Sequence, residues 1–160
     1  MRFVACVCML LLATAAFAKD NTRICENCFD IDQTIFPMDT WQTVSGNTSG
    51  QPNSEYSYLF CAVQGGSYTF SLCPALGGMA AYDSGLSIQG PENCGPYLNC
   101  NDDFCSLQSQ LTWTAPAEAN YIIVVDGYSS GAGAYTLAYA GPACETPAEM
   151  STWSTVKALY

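Results

Sequence analysis

The sequence predicts an all-β protein, a single β-sandwich or jelly-roll-like domain of about eight strands. Three observations support this. Short apolar or alternating runs recur about every 8–12 residues, turns rich in Gly, Asn, Ser and Pro separate them, and no segment requires a helix of ordinary length. The 160 residues fit one domain.

The strands are predicted from these runs in chain order. The expected strands lie at 31–36, 41–44, 56–63, 68–73, 86–88, 97–100, 108–114, 121–125 and 134–140. The first two are short, and residues 45–54 and 74–81 are predicted to be loops because Gly, Ser, Asn and Pro are frequent there. The run Tyr121-Ile-Ile-Val-Val125 is apolar without interruption, which is typical of a strand buried on both faces.

The first 18 residues have the pattern of a secretory signal peptide. Arg2 supplies a basic start, residues 4–12 are apolar, and Ala16-Phe17-Ala18 forms a cleavage site of small-x-small type. We therefore expect a secreted protein, extracellular or at the cell surface, with no transmembrane segment. Beyond residue 18, the expected organisation is N-terminal strands and a loop at 19–55, the sandwich core at 56–140 and a tail at 141–160.

Cysteine content agrees with secretion. Of ten cysteines, two belong to the signal peptide, and the remaining eight predict up to four disulfides: Cys25, Cys28, Cys61, Cys73, Cys94, Cys100, Cys105 and Cys144. The strand order puts Cys73 and Cys105 at one end of the domain, where they could pair. Cys25 or Cys28 could meet Cys144 if the terminal strands are neighbours. A redox CxxC or a zinc site is disfavoured, because there is no βαβ pattern and no histidine.

The charge of the chain excludes several classes of function. A net charge of −10 argues against binding nucleic acid, whose phosphates require Lys and Arg. The absence of histidine removes the usual Ser-His-Asp and Cys-His arrangements. Asp102 and Asp103 are adjacent and so poorly placed to flank one glycosidic bond. We therefore expect a protein that is not an enzyme.

Acidic residues concentrate where the predicted strands end. If successive strands alternate in direction, one end of the sandwich collects four acids and an asparagine from three loops: Asp83, Asn101, Asp102, Asp103 and Asp126. Like charges gathered in this way repel each other unless a cation offsets them. Calcium, which takes six to eight oxygen ligands, suits such a set. The alternative is that residues 101–103 only form Asx-turns in a solvated loop.

Several motifs together resemble the bacterial pre-peptidase C-terminal domain family. They are Tyr82-Asp-Ser-Gly-Leu86, Cys100-Asn-Asp-Asp-Phe-Cys105, Leu107-Gln-Ser109, Tyr121-Ile-Ile-Val-Val-Asp-Gly127 and Gly133-Ala-Tyr-Thr-Leu137. The resemblance covers roughly residues 56–140. It implies a β-sandwich module of secreted proteins, with calcium at Asp83, Asn101, Asp102 and Asp103. Asp126 is added from the strand count alone. The many cysteines would place the chain in a disulfide-rich branch of such modules, and we expect no catalytic domain within these 160 residues for the module to serve.

These observations predict a calcium-stabilised, non-catalytic module that binds an extracellular polymer, either a polysaccharide or a fibrous protein. Tyr97 and Tyr128, aromatic residues beside loops, are the candidate contact residues. The alternative is a structural subunit of an extracellular filament or surface layer, in which residues 19–40 and 145–160 reach a neighbouring copy by strand addition. Asn47-Thr48-Ser49 is a candidate glycosylation sequon.

Overall fold

The computed structural model of the chain describes residues 31–51, 54–91 and 96–144. The predicted signal peptide, Cys25, Cys28, Cys94 and most of the C-terminal tail lie outside these residues. The described part contains ten strands: β1 (Gln33–Thr34), β2 (Gln42–Asn47), β3 (Tyr56–Ala62), β4 (Ser67–Ser71), β5 (Met79–Ala80), β6 (Ser84–Gln89), β7 (Tyr97–Asn101), β8 (Gln110–Thr114), β9 (Ala119–Gly127) and β10 (Ala134–Ala140). A short 3-10 helix, Pro74–Leu76, lies between β4 and β5.

These strands form two sheets, so the predicted β-sandwich is confirmed. Sheet A has the order β1-β3-β9-β6-β7, and sheet B has the order β2-β10-β4-β8, with β5 pairing on β10. All pairings are antiparallel except that of β1 with β3. In the described residues, no helix is long and apolar enough to cross a membrane.

Alternation along the strands places one side of each sheet in the core. In β3, Tyr58, Phe60 and Ala62 are fully buried between the sheets, because every second side chain of a strand points the same way. Strand β9 departs from this pattern as predicted, since its central residues are buried on both faces. Tyr121, Ile123 and Val125 face the core, whereas Ile122 and Val124 face away from it and are buried as well.

Aromatic rings fill much of the space between the sheets. The Phe60 ring packs against four others, from Tyr68, Phe70, Trp113 and Tyr121, with ring centroids 5.0–6.3 Å apart. Tilted and edge-to-face contacts of this kind stabilise a core beyond the area they bury. Near the other end, the hydroxyls of Tyr58 and Tyr135 are hydrogen-bonded at 2.7 Å. A Cβ at Gly46 would overlap the Tyr135 hydroxyl, so β2 can cross this ring only with a glycine.

Two disulfides link the sheets. Cys73, which follows β4 of sheet B, is bonded to Cys105, which follows β7 of sheet A, so this predicted pairing is confirmed. The expectation for Cys144 was wrong, because it is bonded to Cys61 in β3 and not to Cys25 or Cys28. Cys144 follows β10 of sheet B, and this brings it to β3 rather than to the N-terminal segment. Cys100 is also in a disulfide.

The N-terminal strands differ in part from the prediction. Residues 45–47 belong to β2 rather than to a loop, because β2 pairs with β10 along its whole length. The predicted strand at 31–36 is reduced to the two residues of β1, which pair in parallel with β3. The loop predicted at 74–81 contains the 3-10 helix and β5. Ile35 and Val44 pack in or against the common core, so residues 31–47 are part of the sandwich.

Candidate functional site

The strand register brings the predicted acidic residues to one end of sheet A. In the pairing of β6 with β9, Gly85 lies opposite Asp126, and in the pairing of β6 with β7, Leu86 lies opposite Asn101. Asp83 immediately precedes β6, and its carbonyl accepts the Tyr128 N–H at 2.8 Å. The ends of β7 and β9 therefore meet the start of β6, as the alternating strand count predicted.

Two buried serines hold in place residues 102–109, the loop that begins with Asp102 and Asp103. Ser84 and Ser109 are both fully buried. The Ser109 N–H donates to the Ser84 hydroxyl at 3.1 Å, and the Ser84 N–H donates to the Leu107 carbonyl at 2.9 Å. The Ser109 hydroxyl lies within hydrogen-bond distance of the Ser84 and Asp102 carbonyls. These contacts position residues 102–109 against the start of β6. The only sequence signal for them was the presence of both serines within the motifs of the family resemblance.

Three carboxylates of this end influence one another. Partial burial raises the pKa of Asp83, and the charges of Asp103 and Asp102 raise it further. Partial burial also raises the pKa of Asp102, with a further increase from Asp103, while hydrogen bonds from backbone N–H groups oppose the shift. Asp83, Asp102 and Asp103 therefore form an electrostatically coupled group, hereafter the acidic end.

Asn101 and Asp126 lie at the same end but are engaged in other interactions. The Asn101 Oδ1 accepts the Gln110 N–H at 3.3 Å and so links β7 to β8. The Asp126 Oδ1 accepts the Gly127 N–H at 2.6 Å. Burial raises the pKa of Tyr82, and the charge of Asp126 adds to that increase. Asp126 thus acts on Tyr82, whereas the raised pKa values of Asp83 and Asp102 come from burial and from the other acids of the loop.

The side chains as placed do not form a ready-made metal site. Across 31–51, 54–91 and 96–144, no group of three or more His, Cys, Asp or Glu residues could hold a metal ion. Carboxylates on an exposed loop can change rotamer, and calcium also takes backbone carbonyls and water as ligands. The acidic end therefore has the charge that suits a cation but not a completed set of ligands.

The predicted aromatic contact residues lie far apart. Tyr97 opens β7 opposite Gln89, at the end of sheet A remote from the acids, and is 62 % exposed. Tyr128 is bonded through its backbone to Asp83 at the acidic end and is 41 % exposed. They cannot belong to one small patch. The sequence analysis missed Trp41, which is 47 % exposed beside β2 of sheet B. Asn47 is exposed at the end of β2, and its Oδ1 accepts the Ser49 N–H at 2.8 Å.

Comparisons with known proteins give similarities in structure only. The sequence matches no protein-family model and no curated protein. Among solved structures, the pre-peptidase C-terminal domain of collagenase from Bacillus anthracis is 16% identical, with a TM-score of 0.49, over 67% of this chain and 92% of that one. The chain is similar in fold to a pre-peptidase C-terminal domain.

Two further structures are periplasmic inhibitors of g-type lysozyme. PliG from Aeromonas hydrophila is 15% identical, with a TM-score of 0.46, over 64% of this chain and 84% of that one. PliG from Salmonella Typhimurium is 17% identical, with a TM-score of 0.45, over 68% and 95%.

Proposed function

We propose that this chain is a secreted, non-catalytic β-sandwich module that binds an extracellular polymer, either a polysaccharide or a fibrous protein. One observation carries the proposal: aromatic side chains remain on the surface although the core is already rich in rings. The exposed aromatic residues are Phe36, Trp41, Tyr97, Phe104 and Tyr128. Tyr and Trp combine a large apolar surface with a polar group and are enriched at binding surfaces.

Secretion and the absence of catalysis rest on separate observations. The first 18 residues have the signal-peptide pattern, and disulfides form and persist in oxidising compartments. The chain has no histidine, which is the usual general base near neutral pH. Its coupled carboxylates are gathered at one acidic end, where partial burial, and after it their mutual repulsion, raises the pKa values of Asp83 and Asp102.

Calcium binding at the acidic end is the second part of the proposal. Its support is the repulsion among Asp83, Asp102 and Asp103, which a divalent cation would offset. Carboxylate oxygens of these residues would hold the ion, with backbone carbonyls and water completing the coordination. Asn101 and Asp126 each already accept one hydrogen bond through Oδ1, and a side-chain oxygen that accepts one hydrogen bond can still coordinate a cation. The expected role of the ion is to stabilise the fold.

A filament or surface-layer subunit is the second candidate function. The observation in its favour is that both edge strands of sheet B, β2 and β8, lack charged residues. Charges on edge strands are a common protection against pairing with another chain. One observation disfavours the filament. Residues 33–34 belong to the segment that was expected to reach a neighbouring copy, yet they already pair with β3 of the same chain.

One paired assay on the purified secreted protein tests both candidates. Co-sedimentation with insoluble polysaccharides and with collagen fibres is measured beside the molar mass by light scattering. We expect a monomer that sediments with at least one polymer and does not cleave peptide or glycan panels. Large assemblies that bind neither polymer would favour the filament. Turnover that is lost in Asp102→Ala would contradict a non-catalytic module.

A further inference from the structure

The side of sheet B that faces away from the core carries hydroxyl groups on all four of its main strands. We call this surface the hydroxyl face. Its exposed or half-exposed members are Thr43 and Ser45 of β2, Thr136 of β10, Thr69 of β4 and Thr112 of β8. Neighbouring strands are about 4.8 Å apart, and same-face residues of one strand are about 6.8 Å apart. The exposed hydroxyls therefore form two separate groups, Ser45 with Thr136 and Thr69 with Thr112, because Ser71 and Ala138 on the same side between them are buried.

Hydrogen bonds between strands orient these hydroxyls. Ser45 and Thr136 lie opposite each other with their oxygens 3.2 Å apart, and Thr69 and Thr112 lie opposite each other at 2.9 Å. Each hydroxyl has one donor and two acceptor positions, so every such pair keeps one donor and three acceptor positions for a ligand. Because the pairing already fixes the side chains, binding would cost little further rotamer entropy.

The hydroxyl face is uncharged in a strongly acidic protein. No Asp, Glu, Lys or Arg occurs in β2, β4, β5, β8 or β10, whereas the chain as a whole has a net charge of −10. The β-propensity of Thr explains why it is frequent in strands. That propensity does not explain the missing charges, since exposed edge strands usually carry Lys or other charged residues. A charged polymer would gain nothing electrostatically from this surface, whereas a neutral polyhydroxylated one matches it.

Trp41 adds an aromatic surface at the edge of the hydroxyl face. It immediately precedes β2, whose odd-numbered residues are the exposed ones, and its own side chain is 47 % exposed. The C–H face of a pyranose ring is apolar and can stack on an indole, while the hydroxyls at the ring edge remain free for hydrogen bonds. Trp41 and the paired hydroxyls thus offer both types of contact that a sugar chain can use.

We propose that the hydroxyl face and Trp41 bind a neutral polysaccharide chain. This inference rests on the proposed function, since it assigns the polymer class and the surface of a binding module. It moves the binding site away from Tyr97 in β7, from Tyr128 just after β9, and from the acidic end. Hydrogen bonds and stacking, rather than ion pairs, supply the affinity.

The test measures binding isotherms of the full secreted chain on insoluble cellulose and chitin, with collagen fibres and an anionic alginate gel as comparison. Two variants change the proposed surface: Trp41→Ala removes the stacking ring, and Thr112→Glu puts a charge and a larger side chain on the hydroxyl face. Tyr97→Ala removes the competing candidate contact residue on sheet A and so distinguishes the two locations. Gln64→Glu, in the exposed β3–β4 turn, adds the same charge elsewhere. Melting curves confirm that each variant is folded.

We expect binding to cellulose or chitin that changes less than twofold between 0.05 and about 0.5 M salt, because screening weakens only charged contacts. Trp41→Ala, which removes the stacking ring, and Thr112→Glu, which adds a buried charge to the contact, should each lower the association constant by about tenfold or more. Gln64→Glu, the charge control, should change it less than twofold, and Tyr97→Ala should lower it less than either variant of the proposed surface. Binding only to collagen or alginate would overturn the inference and leave the binding module standing. Neutral-polymer binding lost in Tyr97→Ala but kept in both surface variants would also overturn it. Failure to bind any polymer would contradict both this inference and the proposed binding module.

Discussion

The two sheets of this sandwich share one core but differ in the faces that they turn away from it. In sheet A, Ile122 and Val124 of β9 are 1 % and 2 % exposed on that face. In sheet B, Thr112 is exposed and Thr69 is half-exposed on that face, whereas Ser71 and Ala138 near its centre are buried. The acidic residues of the candidate calcium site also belong to the strand ends of sheet A. Sheet A therefore buries part of its outer face and carries the charged loops, whereas sheet B carries the hydroxyl pairs that we propose as a contact surface.

The largest expected effect comes from placing a charge on each outer face. Val124→Glu buries an unpaired carboxylate and should lower the free energy of unfolding by about 5 kcal/mol or more, enough to prevent folding. Thr112→Glu, on the exposed face, should change it by less than about 1 kcal/mol. Urea unfolding of both variants measures the difference. Similar losses of stability in Val124→Glu and Thr112→Glu would contradict the difference between the two outer faces.

Removing the disulfides that connect the sheets should have the second-largest effect on the free energy of unfolding. Cys61 and Cys144 are 83 residues apart, and Cys73 and Cys105 are 32 apart. The chain-entropy model then gives losses of about 4.5 and about 3.7 kcal/mol when each pair is replaced by alanine. Urea midpoints of the two double-alanine variants give the order. A greater loss of stability for the shorter loop would show that the bond between Cys73 and Cys105 contributes more than loop closure.

Calcium should raise the melting temperature by several degrees. An ion present at 100 times its dissociation constant, and bound only by the folded state, adds about 2.7 kcal/mol. Melting curves in EDTA and in millimolar calcium measure the shift, which Asp102→Ala should largely remove. Thr112→Glu serves as the control, because its new charge lies on the other sheet and should leave the calcium shift unchanged. Coincident curves for the unmodified protein would contradict the calcium proposal.

The smallest expected effect is a pH dependence at the acidic end. The pKa values of Asp83 and Asp102 are raised in the folded state, so over the window between their ordinary and raised values the folded chain binds more protons than the unfolded one. Stability measured in EDTA should therefore increase as the pH falls from 7 through the raised pKa values, toward about 4. Calcium should flatten this trend. A double variant, Asp83→Asn with Asp102→Asn, should lose it.

Local patterns in the sequence were sufficient to predict the sandwich. Alternating residues identified β3, β8 and β10, and the uninterrupted run at 121–125 correctly indicated a strand with two buried faces. The meeting of strand ends at the acids also followed from counting strand directions. These features depend on periodicity and chain order, both of which can be obtained from the sequence alone.

The features that depend on distant contacts could not be predicted. The pairing of Cys61 with Cys144 is set by where β10 ends relative to β3, and β1 is too short to have a periodic pattern. Trp41 and Trp113 both stand in predicted strands, so the sequence does not distinguish them. Only the fold shows that Trp41 is exposed and that Trp113 lies in the core. The positions of Ser84 and Ser109 likewise depend on the packing of two loops.

The bond between Cys61 and Cys144 has a mechanical consequence for a module that holds a polymer. Traction applied through the C-terminal segment enters the chain at Cys144 and passes directly to Cys61. The 83-residue span between them cannot be extended while the bond is intact, and it would otherwise supply about 290 Å of added length. Under load the domain should therefore behave as a short, stiff link, and in a pulling experiment the extra extension should appear only after a reductant is added.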